Sequence, residues 1–294
     1  MSVSLKAAIF LCSASLFWSG NFIIGRLSSV EDLVSPLSLA FYRWVIAFII
    51  LTPFCLKKAL NDLPHLKKQP GIIFLIVLTG PTLFNTLTYV GLTATTVINS
   101  LLVISTTPML IILLNKFIYK HQTNLFQMLG VIISLIGVSY VITKGNYQNI
   151  FDSKFYSGDL FILLAVVSWA LYSIFLKKNE TGVSGFSFLY LSFVFTVILL
   201  SPVYLYDIMI QNNFISFDQK TLLVIGYTGT FPSILSYMCW NTGVALIGPN
   251  KSGPFLHLMP IFGGILAYLV FQETLQSYHY AGILSVIIGI MIAN

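Results

Sequence analysis

Charge is what this sequence has least of: Asp, Glu, Lys and Arg make up 8% of its 294 residues, where a soluble domain carries roughly 25%. That shortage excludes a globule covered by water. Cysteine is nearly absent too. Cys12, Cys55 and Cys239 all lie in apolar blocks without ligand spacing, which argues against a disulfide framework or a metal centre. The nine acids avoid the middle of every apolar block, and Glu31, Asp32, Asp159, Asp207 and Glu273 sit in loops or at block ends. A proton relay built on carboxylates inside a membrane is thereby disfavoured. The four histidines, His65, His121, His257 and His279, are dispersed, so the clustered acid–base groups of a membrane enzyme are missing. No Walker A pattern appears, so ATP is not a direct motor. The alternating ten-residue strands of a β-barrel are also missing.

What remains is apolar. Hydrophobic residues make up 57% of the chain and mean hydropathy is +0.90. They fall into ten blocks, roughly 5–27, 35–54, 71–90, 97–118, 126–143, 159–176, 186–206, 221–242, 252–271 and 278–293. A helix of about 20 residues crosses about 30 Å of hydrocarbon. The fold class expected is therefore an all-α polytopic membrane protein with ten transmembrane helices. The first block is too long for a signal-peptide core and holds Trp18 and Asn21, so it reads as a spanning helix.

Basic residues set the orientation. Lys6, Lys57, Lys58, Lys67, Lys68, Lys116, Lys120, Lys177, Lys178 and Lys251 fall on the side of both termini, against Arg26, Lys144, Lys154 and Lys220 on the other. The positive-inside rule then puts both termini in the cytoplasm. The net charge of +6 is scattered over helix ends, which suits membrane topology and not a nucleic-acid partner. Short loops and the lack of a targeting segment favour a bacterial inner membrane.

The chain repeats itself. A shift of 152 residues places Gly91 on Gly243, Pro108 on Pro260, Gly130 on Gly282 and Gly137 on Gly289, and a shift of 151 places Trp18 on Trp169. Two five-helix repeats follow, 1–150 and 151–294, within one membrane domain. Five is odd, so the second copy enters the bilayer from the opposite side. Inverted repeats of this kind build transporter sites at the midplane between the halves, with alternating access by rocking.

Polar residues inside the spans obey the same repeat. Asn21 corresponds to Tyr172, Asn85 to Tyr237, Tyr89 to Asn241, Asn99 to Lys251 and Ser105 to His257. Asn85 and Tyr89 are four apart and share a helix face, as do Tyr237 and Asn241. Together with Trp18, Trp169 and Trp240 they are candidates for a cavity lining. The competing reading is interhelical glue, or an aromatic belt for Tyr89, Trp240 and Asn241 near span ends. His257 is open to helix packing, substrate contact or a proton-linked role. Arg43 either snorkels outward or faces the cavity and binds a carboxylate. Pro81 and Pro232 suit gating hinges in the third and eighth spans. Gly130, Gly137, Gly282, Ser285 and Gly289 give the fifth and tenth spans small-residue faces, suited to packing within a monomer or to a homodimer contact.

The stretches "FWSGNF" at 17–22, "YVGLTATTVINSLLVISTTPMLIILL" at 89–114 and "NTGVALIGPNKSGPFLHLMPIFGGILAYLVFQE" at 241–273 resemble the EamA family of the drug/metabolite transporter superfamily. So does the pair "GVIISLIGV" and "GILSVIIGI" that closes the two halves. The resemblance covers nearly the whole chain. It implies a ten-helix exporter of small metabolites such as amino acids, working without a cofactor. One departure stands out: the glutamate usual after the fourth helix of each repeat is present as Glu273, but its first-half counterpart is His121. The expectation is thus a secondary transporter of a small-molecule substrate in the lipid bilayer. A membrane enzyme and a passive channel or scaffold are the alternatives.

Overall fold

A computed structural model describes residues 3–95, 97–148, 156–179, 181–271 and 276–293. Among these the chain is helical, with no strand. The helices are α1 (Val3–Val30), α2 (Pro36–Leu66), α3 (Pro70–Thr93), α4 (Val97–Ile104), α5 (Thr107–Tyr119) and α6 (Leu125–Ile142) in the first half. The second half has α7 (Ser157–Lys177), α8 (Gly185–Met209), α9 (Gln219–Ile247), α10 (Leu258–Phe271) and α11 (Ser277–Ala293). Six of them (α1, α2, α3, α7, α8 and α9) are long and apolar enough to cross a membrane alone.

Two expected spans are broken rather than continuous. Block 97–118 divides into α4 and α5 at Ser105–Thr106, and block 252–271 begins with a 3₁₀ turn, Gly253–His257, before α10. Proline is the cause. Pro108 lies in the first turn of α5 and Pro254 in the 3₁₀ turn, and each removes a backbone donor and crowds the preceding turn. Counted with these breaks, the described helices form ten spans. The second helix also runs past the expected end at 54, to Leu66. Hydropathy stops where Lys57 and Lys58 begin, but both lysines are exposed and the helix simply continues beyond the hydrocarbon.

Local sequence explains the ends. Ser35 caps α2, its hydroxyl accepting from the Ser38 amide at 3.1 Å, with Pro36 at the first helical position. Asp218 caps α9 through the Thr221 amide at 2.8 Å. Within α3 and α9 the winding loosens to a π-helix over Leu78–Phe84 and Thr230–Leu235, segments that begin one repeat period of 152 residues apart. Each encloses the proline expected as a hinge, Pro81 or Pro232, and freed carbonyls there are open to side-chain donors.

The halves pack as an inverted pair. α1 lies on the end of α9 as α7 lies on the end of α3; α2 packs on α8, and α6 on α11. The small-residue faces of α6 and α11 meet each other inside the chain. A Cβ on Gly130 would strike the Gly289 carbonyl and the Ala293 amide, and one on Gly289 would strike the Gly130 carbonyl. Only glycine permits that backbone approach.

Candidate functional site

The buried face of α2 runs Leu39, Ala40, Arg43, Trp44, Ala47, Leu51, a three-four spacing that turns Arg43 into the bundle. Its side chain is 0% exposed; it does not snorkel. Arg43 Nε donates to Ser233 Oγ at 2.8 Å, and Nη1 donates to Asn85 Oδ1 and to the Tyr89 hydroxyl, both at 2.7 Å. Nη2 has no partner. All three acceptors are neutral, and the one salt bridge among the described residues is Lys220–Glu31 at the surface. A guanidinium is always charged and carries five N–H donors. A buried cation without a counter-ion is strongly unfavourable, and this one has only neutral acceptors and the ring faces of Trp44 and Tyr89 about it.

The network extends through both halves. Tyr89 donates to Asn21 Oδ1 at 2.8 Å, and Asn85 Nδ2 donates to the Tyr237 hydroxyl at 2.9 Å. Tyr172 donates to Asn241 Oδ1. Tyr89–Asn21 and Tyr172–Asn241 are one bond seen from the two halves, because the repeat carries Asn21 onto Tyr172 and Tyr89 onto Asn241.

Below Arg43 all four tryptophans of the chain converge. Trp18 and Trp169 meet edge-on with centroids 4.9 Å apart, and Trp240 lies 5.7 Å from Trp18 and 5.6 Å from Trp169. Trp44 sits 5.3 Å from Tyr237, with the Arg43 guanidinium 4.8 Å over its ring. The Trp18 indole donates to the Pro232 carbonyl at 3.0 Å, a group inside the π-helical segment. The indole nitrogens of Trp44, Trp169 and Trp240 have no partner. Buried donors are nearly always satisfied. Here four, counting Arg43 Nη2, are not, and the orphan polar atoms of this cluster are all donors.

Most of the residues expected at the site come together here: Trp18, Asn21, Arg43, Asn85, Tyr89, Trp169, Tyr172, Tyr237, Trp240 and Asn241. Tyr89 and Trp240 are 3% and 0% exposed, so they are not belt residues. His257 stands apart. Its Nδ1 pairs with Ser134 Oγ at 2.6 Å and its Nε2 with the Ser105 carbonyl at 2.8 Å. The carbonyl can only accept, which puts the ring proton on Nε2 and satisfies both nitrogens in helix packing. The Asn99 side chain lies outside the described residues. Trp44 and Ser233 belong to the site and were not expected there. Trp44 had a signal, since it adjoins Arg43 in mid-span; Ser233 had none, being one serine among many.

On the face that carries the N terminus, a cavity of about 700 Å³ opens among Asn115, Lys177, Lys178, Asn250 and Lys251. A side pocket of about 410 Å³ on that face reaches Asn241, the partner of Tyr172. On the opposite face, four contacts among the described residues tie helix ends together. Arg26 donates to the Leu92 carbonyl at 2.7 Å, Lys220 pairs with Glu31 at 2.8 Å, Ser38 donates to Asp207 Oδ2 at 2.7 Å, and Thr95 donates to Asp159.

Comparison with known proteins agrees with this architecture. The chain is 26% identical to an uncharacterized transporter, YyaM, of Bacillus subtilis over 99% of this chain and 94% of that one. It is 26% identical to a protein of Rickettsia prowazekii named as an S-adenosylmethionine uptake transporter, over 84% of this chain and 81% of that one. A protein solved by crystallography shares the fold with a TM-score of 0.78 at 17% identity, covering 100% of this chain and 98% of that chain. The profile of the EamA-like transporter family matches twice, over residues 5–143 and 156–294. With two tandem matches spanning nearly its whole length, the chain belongs to the EamA-like transporter family, and it is an integral membrane transporter.

Proposed function

We propose that this transporter carries a small carboxylate-bearing metabolite, amino acids among them, by alternating access between the halves 1–150 and 151–294. The observation behind this is Arg43: a buried guanidinium with no carboxylate partner and one unpaired nitrogen, beside Trp44, whose indole nitrogen is also unpaired. A carboxylate supplies four lone-pair sites and a forked acceptor for a guanidinium. The relative named for S-adenosylmethionine uptake fits this class, because that molecule carries an amino-acid carboxylate. Both termini lie in the bacterial cytoplasm, on the count of basic residues. The cavity of about 700 Å³ then faces the cytoplasm, where an exported cargo loads, and export is the direction we propose.

Proteoliposomes test this. Purified transporter is loaded with amino acids on one side, and counterflow is followed with and without a pH gradient, using the decarboxylated amines as controls. Saturable counterflow of the acids and none of the amines supports the reading. Equal transport of acids and amines contradicts it. Net accumulation opposite to the cytoplasmic side supports export, and accumulation on that side overturns it.

A further inference from the structure

The cavity on the N-terminal face is more than a passage. Its wall carries Lys177, Lys178 and Lys251, with His121 and the amides of Asn115 and Asn250, and no carboxylate among the described residues. Topology alone places lysines at helix ends on this face, but it does not gather three of them around one hollow. Two of its lining side chains also carry buried atoms without a partner, Gln127 Oε1 and Asn250 Nδ2. Asn250 is 4% exposed; its Oδ1 accepts from Asn115 Nδ2 at 2.7 Å, while its own Nδ2 has no partner. Lys177 gives one of its three protons to the Ala245 carbonyl at 3.1 Å, and Lys178 lies 4.8 Å over the Tyr119 ring. Both keep donors to spare. His121 replaces here what its repeat counterpart, Glu273, supplies in the second half, so the first half removes an acid from this side.

We propose that this cavity is a second binding site, one that captures small anions with two or more clustered negative charges, of the phosphate or dicarboxylate type. Its volume suits a small metabolite, and lysines act on such groups as point charges that do not demand one geometry. The role of the site as a loading stage before Arg43 rests on the transport reading above. Binding itself does not.

Calorimetry on the full chain in neutral detergent tests it, with pyrophosphate and succinate as probes and acetate as the monovalent control. Pyrophosphate is expected to bind saturably, more tightly than acetate, and more weakly as salt rises. The double variant Lys177→Gln/Lys251→Gln is expected to weaken it by about tenfold or more. Asn250→Asp turns the unpaired donor into an acid at the same size and is expected to abolish binding. Gel filtration and melting temperature establish that each variant is folded. No saturable binding by the wild type, or binding untouched by the vestibule variants, overturns the proposal. Competition by phosphatidylglycerol in relipidated protein, absent with phosphatidylcholine, reassigns the site to a lipid headgroup and overturns the metabolite role. Transport that does not depend on Arg43, with intact pyrophosphate binding, sinks the central site alone, and Arg43-dependent transport without pyrophosphate binding sinks only the vestibule.

Discussion

Asn85 Nδ2 donates to the Tyr237 hydroxyl at 2.9 Å across a separation of 152 residues, which is the repeat period itself. Each residue is the other's counterpart, so the bond lies on the pseudo-twofold axis. Trp18 and Trp169 touch across the same axis at 4.9 Å, and Ser105 and His257 join across it through the Ser105 carbonyl. The halves therefore meet through their own equivalent positions. Asn85 also accepts from Arg43, which couples the axis to the buried guanidinium. Asn85→Ala is expected to strand an Arg43 donor, to leave the Tyr237 hydroxyl without the donor it accepts from, and to lower stability by about 1–3 kcal/mol, with transport reduced tenfold or more. Tyr237→Phe removes only the acceptor and is expected to cost less on both counts. Thermal melts in detergent and counterflow read the two effects.

The tryptophans separate packing from binding. Replacing an indole by its benzothienyl isostere keeps the shape and removes the N–H. At Trp18, whose N–H is bonded to the Pro232 carbonyl, the exchange is expected to lower stability by about 1 kcal/mol. At Trp169, whose N–H has no partner, stability is expected to hold while cargo affinity falls severalfold. The same outcome at both positions contradicts the assignment of orphan donors to cargo.

The α6–α11 seam predicts a contrast between glycines. Gly130→Ala and Gly289→Ala each press a methyl into the facing backbone and are expected to cost about 1–3 kcal/mol. Gly226→Ala in α9 meets nothing within 4 Å and is expected to be neutral or to stabilise by up to about 1 kcal/mol. Melting temperatures of the three variants decide it.

On the face opposite the N terminus, Asp207 and Lys220 are expected to differ. Asp207 is 1% exposed and accepts from Ser35, Ser38 and Asn213, tying the end of α8 to the start of α2. Asp207→Ala strands three donors and is expected to cost about 1–3 kcal/mol and to loosen this face, read as faster labelling of a cysteine placed at Ser38. Lys220→Gln breaks only an exposed ion pair and is expected to change stability by less than about 1 kcal/mol.

Much of this was legible in the sequence. Hydropathy marks each span because lipid demands an unbroken apolar run, and the repeat shows in Gly and Pro because backbone geometry tolerates few substitutes. Ten of the twelve site residues expected from the sequence converge for the same reason: a polar or aromatic side chain in mid-span has to turn inward. What hydropathy could not show was continuity. The breaks at Ser105–Thr106 and Gly253–His257 depend on proline acting on hydrogen bonds that a hydropathy average ignores. His257 looked like a site residue because it is the one histidine in a span, yet Ser134 and the Ser105 carbonyl satisfy both of its nitrogens. Pairing of that kind arises only in three dimensions. Trp44 escaped notice because it has no tryptophan counterpart in the second half.

Arg43 is where one measurement decides most. Counterflow of a transported amino acid and of its carboxamide is compared in the wild type, Arg43→Lys and Arg43→Gln. An arginine that grips the cargo carboxylate predicts strong preference for the acid in the wild type, a KM raised about tenfold or more in Arg43→Lys through loss of the free Nη2 donor and of the Asn85, Tyr89 and Ser233 bonds that aim it, and no discrimination in Arg43→Gln. Equal transport of acid and carboxamide by the wild type, or full preference retained in Arg43→Gln, contradicts it.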